Sequence, residues 1–215
     1  MQGFETEIAR DAEQSYIYAK DTIRGRFRLG EAAIAKSAYY SFYYAKDVLR
    51  GKFLQGEAAI AKNAQYSLAY ARYIIKAPWW EGEAAIATDA ECSYRYARNV
   101  LKEPFFLGEE AIARQAEYSY NYAMDVLNEP FPEGEAAIAK SSYYSYIYAK
   151  WILRKPFPLG EAAIATSAEY SCSYAIDVLK APFRLGEAQI FKSKPKYNDY
   201  IKFFPIKKRP AFFKY

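Results

Sequence analysis

Seven glycines, Gly30, Gly56, Gly82, Gly108, Gly134, Gly160 and Gly186, stand 26 residues apart with no insertion between them. Each is followed by a glutamate (Glu31, Glu57, Glu83, Glu109, Glu135, Glu161, Glu187), and an isoleucine stands three residues further on, as at Ile34 and Ile60. Phe4-Glu5 and Ile8 open an earlier copy in the same phase. A period of this length and strictness constrains the fold more than any single residue. It is the mark of a stacked array in which each unit buries its apolar face against its neighbours.

Each copy predicts two helices. The first is short and alanine-rich, as in Gly30–Lys36, with a leading glutamate suited to a helix N-terminus. Asp11, Ser37, Asn63, Asp89, Ser141 and Ser167 then supply a capping residue, Gln115 being the exception. A second helix of about 13 residues follows, for example Ala38–Arg50, about 20 Å long. Its end is expected at Gly25 or Gly51, or before Pro78, Pro104, Pro130, Pro156 and Pro182. An aromatic comes next each time (Phe27, Phe53, Trp79, Phe105, Phe131, Phe157, Phe183) and reads as a plug between adjacent copies.

The expected fold is therefore all-α: an α-solenoid, a right-handed superhelix of 26-residue two-helix repeats. Seven copies span residues 1–185, starting at 4, 30, 56, 82, 108, 134 and 160, and residues 186–215 form a degenerate capping repeat with a basic, aromatic tail. Tyr200 falls on the tyrosine column of the repeat, so 196–204 reads as a divergent capping helix ended by Pro205.

Counting from the glycine, position 12 is always Ser, position 15 always Tyr and position 16 always Ala. On a helical wheel these share one arc with the β-branched and leucine positions 19 and 20, the face that packs. Copies differ at positions 10, 14, 17 and 21, an arc left to water or a partner; position 14 alone holds Tyr43, Ala69, Arg95, Asn121 and Ile147.

This layout resembles the leucine-rich variant repeats, which alternate a short and a longer helix. The shared features are a small-residue first helix ending in Ala, a cap such as Asp89-Ala90, and a second helix ending before proline. The unit here is longer and rich in Tyr rather than Leu, so the likeness implies architecture only. The Gly-Glu-Ala-Ile-Ala…Tyr-Ser-Tyr-x-Tyr-Ala unit also resembles Tyr/Ala-rich tandem repeats in uncharacterised proteins of tailed bacteriophages. That resemblance covers nearly the whole chain and supplies no known activity; a phage-encoded effector acting on a host factor, in the host cytoplasm, is an expectation that fits it.

Chemistry is sparsely represented. The chain has no histidine and two cysteines, Cys92 and Cys172, 80 residues apart, so no catalytic, cofactor or metal site is expected. Without a disulfide framework, and with no secretory signal in Met1–Arg10, a reducing, cytoplasmic location is expected. No apolar run is long enough for a membrane span. The glutamate column, being part of every copy, reads as structural, serving the first helix through its dipole or a nearby base.

Positions 17 and 21 form a basic stripe: Lys20 and Arg24, Lys46 and Arg50, Arg72 and Lys76, Arg98 and Lys102, Lys150 and Arg154. Asp21, Asp47 and Asp177 are expected to pair with the base three residues on. Residues 192–215 hold eight basic residues and one acid, which leaves 22 basic and 24 acidic residues elsewhere. The expected function is a non-enzymatic scaffold whose partner is a protein; the alternative is a nucleic-acid binder using the stripe and tail. Candidate contact residues are Tyr39, Tyr43, Arg72, Arg95, Arg98, Asn121, Tyr143 and Lys150, with Lys207, Lys208 and Arg209 in the tail. For Ile206–Tyr215 a docked strap and a recognition tail both stand as readings.

Overall fold

A computed structural model describes residues 2–205 of the chain. Among them there is no strand, and helices recur with the repeat period: the protein is an all-α solenoid. The capping residues act as their chemistry dictates. Asp11, Ser37, Asn63, Asp89, Ser141 and Ser167 each accept the backbone N–H three residues on, while Gln115 makes no such bond.

Two compact units divide between Ala111 and Ile112. In the first, the second helices Ala12–Ile17, Ala38–Tyr43, Ala64–Tyr70 and Ala90–Tyr96 pack side by side. Each except the last also lies against the first helix of the following copy: Glu31–Ile34, Leu54–Ile60 and Trp80–Ile86 in turn. The second unit repeats the scheme with Ala116–Tyr122, Ser142–Ile147, Ala168–Tyr174 and the terminal helix Lys194–Phe203.

Three invariant columns hold this stack. The serines Ser15 to Ser171 are fully buried, and each donates to the isoleucine carbonyl seven residues earlier at 2.9 Å, as Ser41 does to Ile34. That bond ties the end of the first helix to the second. The glycine of the next copy presses on the same serine. A Cβ on Gly56 would stand 2.5 Å from Ser41 Oγ and from the Phe53 ring, so only glycine fits.

The tyrosines Tyr44 to Tyr200 are completely buried. Tyr70 is representative: its hydroxyl donates to Glu57 at 2.8 Å and accepts the Phe53 N–H at 2.9 Å. Its ring lies next to Trp79, 4.9 Å away. The tyrosine thus joins its own first helix, the preceding copy's aromatic and its own copy's aromatic. The glutamate column is structural, but its regular partner is this hydroxyl. A base is added at Arg26–Glu31 and at Arg184–Glu187, while Glu57, Glu83, Glu135 and Glu161 pair with no cation among the described residues.

The second helix departs from the expected straight 13-residue α-helix. Its final turn or more widens into a π-helix, as at Tyr44–Leu49 and Ala71–Ile75, closed by bonds such as Lys76 N–H to the Ala71 carbonyl at 2.7 Å. The helix ends on a left-handed residue at position 21: Arg24, Arg50, Lys76, Lys102, Asn128, Arg154 or Lys180, with φ between 51° and 61°. Gly25 and Gly51, the expected stops, do not carry a positive φ. Arg and Lys adopt this conformation at a cost of about 1–2 kcal/mol that glycine avoids. Lys180→Gly is therefore expected to raise stability by about 1 kcal/mol, whereas Lys180→Ala brings no gain; urea titration followed by far-UV circular dichroism reads the difference.

Candidate interaction surface

The variable arc is not a uniform strip facing water. Because second helices stand side by side, positions 13, 17 and 18 face one another across successive copies. Lys20 bonds Tyr16 at 2.9 Å and Asp47 of the next copy at 3.0 Å, and Tyr16 donates to the same Asp47 oxygen at 2.7 Å. Against the upward push of burial, these bonds hold Asp47 below the usual carboxylate range. The arrangement returns in the second unit, where Lys150 bonds Tyr146 at 3.0 Å and Asp177 at 2.9 Å, and Tyr146 donates to Asp177. Asp47 and Asp177 thus pair with a base 27 residues earlier and not with the one three residues on. The i+3 residue, Arg50 or Lys180, is occupied as the left-handed cap.

In the first unit Tyr39 and Tyr43 enter one aromatic cluster. Tyr39 lies 4.6 Å from Tyr43, 4.9 Å from Tyr40 and 5.9 Å from Tyr66 of the next copy. Lys46 stands over Tyr43 and Tyr73 at 5.8 and 6.0 Å, and Arg72 stacks on Tyr73 at 5.2 Å. Beyond Tyr73 the small residues Leu68 and Ala69 replace the Phe42 and Tyr43 of the copy before, and a groove of 240 Å³ opens. Gln65, Arg72, Glu91, Cys92 and Arg95 complete its lining, so Arg72 and Arg95 converge there. Arg95 is tied to Glu91 at 2.7 Å. Arg98 bonds Tyr94 at 3.0 Å.

In the second unit Tyr143 is exposed beside Tyr144 and Tyr170, Asn121 is half-buried, and Lys150 is engaged with Asp177 and Tyr146. Ile147, on the arc assigned to water or a partner, is buried. Lys207, Lys208 and Arg209 lie outside the described residues.

One apolar feature escaped the helical wheels. Large apolar side chains one or two residues after the buried aromatic plug project at the start of the first helix: Leu29, Leu54, Trp80 and Phe106 in the first unit, Leu159 and Leu185 in the second. Trp80 and Phe106 are each 77% exposed. Their signal was in the sequence as large apolar side chains at repeat positions that neither helix uses for packing. Exposed apolar rows of this kind mark contact surfaces.

The cysteines are poorly placed for nucleophilic chemistry. Burial first, then Asp89, pushes the Cys92 thiol up to about 12, and burial raises Cys172 as well. Among the described residues no cluster of acids or cysteines could hold a metal ion, no buried side-chain polar atom lacks a partner, and no helix is long and apolar enough to cross a membrane. No family model matches the chain, and no curated protein or solved structure matches it either.

Proposed function

We propose that the chain is a non-enzymatic repeat scaffold that binds a protein. The exposed row Leu29, Leu54, Trp80 and Phe106 carries this reading, because large apolar side chains recurring at the starts of successive first helices suit a protein partner better than a phosphate backbone. The repeat-wide polar residues support it from the other side. Ser, Glu and Tyr of each column are consumed in bonds that build the stack, and the stripe cations Lys20 and Lys150 are already paired within the chain. If the chain is phage-encoded, as its resemblance implies, the partner is a host protein met in the host cytoplasm.

The test is affinity capture with the full chain and with a Trp80→Glu/Phe106→Glu variant, which alters two exposed side chains. One dominant protein should be retained, and the variant should reduce its recovery about tenfold or more with an unchanged melting temperature. Retention of DNA or RNA instead, with an affinity falling steeply in salt, would sink the reading.

A further inference from the structure

We propose that the seam between the third and fourth copies binds an acidic segment of the partner protein, a carboxylate of which occupies the place that aspartate holds at other seams. This rests on the scaffold reading above and names the chemistry of the partner. At the seam between the first two copies the position-17 cation Lys20 is neutralised by Asp47, and in the second unit Lys150 is neutralised by Asp177. The corresponding residues at the third seam are Arg72 and Asn99, with Leu68 in place of the bonding tyrosine. The carboxylate is missing, and Arg72 pairs with no acid among the described residues.

Lys46, at the seam before, also lacks an aspartate opposite, since Tyr73 stands there. It is instead surrounded by the rings of Phe42, Tyr43 and Tyr73. Arg72 differs in lying over the single ring of Tyr73, 5.2 Å away, while also lining a cleft of 190 Å³. Ala71, Lys76, Asn99, Val100 and Lys102 line that cleft with it: three cations and no acid. A guanidinium stacked on a ring is held in place, and its free edge suits two parallel bonds to a carboxylate. Arg72 also lines the 240 Å³ groove floored by Leu68 and Ala69, whose one acid, Glu91, is held by Arg95. The cationic cleft and the groove that holds Leu68, Ala69 and Tyr73 meet at Arg72. They fit a peptide carrying an acidic residue next to an apolar one. A nucleic acid would instead follow cations along the copies, and Lys20 and Lys46 are already occupied.

Asn99→Asp places at this seam the residue type found at the Lys20–Asp47 and Lys150–Asp177 seams and leaves every cation in place, so it closes the site without removing any part of it. A fluorescein-labelled peptide alternating Glu with Leu and Phe serves as probe, with a Gln-for-Glu copy and a single-stranded DNA of similar charge as comparisons, all titrated by anisotropy at low salt. The acidic peptide should bind saturably, and both Asn99→Asp and Arg72→Gln should weaken it about tenfold. The Gln copy should bind as weakly as the variants, and the melting temperature of Asn99→Asp should hold or rise. Unchanged peptide affinity in Asn99→Asp, no saturable peptide binding, or DNA bound as tightly as the peptide overturns the proposal. A captured protein that Asn99→Asp still retains overturns it too while leaving the scaffold reading intact; a wild-type chain that retains no protein removes the scaffold reading itself.

Discussion

Truncating Tyr70 to alanine is expected to lower stability by about 3–5 kcal/mol, and removing only its hydroxyl, in Tyr70→Phe, by about 1–3 kcal/mol. The first figure is that of deleting a large, completely buried ring packed against Trp79. The second has a separate origin. Without the oxygen, the buried Phe53 N–H loses its acceptor and the half-buried Glu57 its donor. A double-mutant cycle with Glu57→Gln isolates the carboxylate's share. In a stack where contacts run between neighbours, damage at one copy is also expected to divide the array. Urea titration should therefore show a reduced m-value or a second transition alongside the shifted midpoint. A Tyr70→Phe variant as stable as the parent would mean the hydroxyl's bonds are replaced by solvent.

Alkali should unfold the array abruptly. Burial is the main influence on Tyr44, Tyr70, Tyr96, Tyr148, Tyr174 and Tyr200, and it raises the pKa of each, Tyr44 to about 12. The neighbouring glutamates push the same way, while the backbone N–H that each phenol accepts pushes back. The folded state favours the protonated phenol, so this contribution is complete below the unfolded value near 10 and is lost as pH rises toward the folded values. Each such tyrosine costs about 1.4 kcal/mol per pH unit above 10. Six together cost on the order of 8 kcal/mol by pH 11, comparable to the whole stability of a typical domain. Phenolate absorbance near 295 nm should rise together with the loss of helical circular dichroism, in one step between about pH 10 and 12. Helicity that persists while these tyrosines titrate near 10 would contradict the burial described here.

The period, the two helices and the caps could be read from spacing alone, because Ser41, Tyr70 and Ala71 recur in all seven copies and Gly56 in all but the first, and a column so constant must serve every copy. The widened helix end could not. A π-turn leaves the order of apolar and polar residues almost unchanged, and the left-handed stop falls on Arg50 or Lys76, residue types that carry no signal for it. Gly51 drew the expected stop one residue too far along. The candidate surface was legible in part. Arg72, Arg95 and Tyr39 are exposed and Tyr43 is half-buried, but a wheel drawn for one helix cannot show that Lys150 reaches a carboxylate on the next copy or that Ile147 is covered. Trp80 and Phe106 belong to neither wheel.

Unequal seams have a mechanical consequence. An array joined only through neighbouring copies opens first where its teeth interlock least, and within the first unit the Leu68–Asn99 seam lacks the cross-tie that Tyr16, Lys20 and Asp47 provide at the first. Breathing should therefore concentrate there, in the segment that also presents Arg72. A guest carboxylate would act as a removable rivet: once seated, it would join two copies that the chain itself leaves loosely fastened and stiffen the rows on either side.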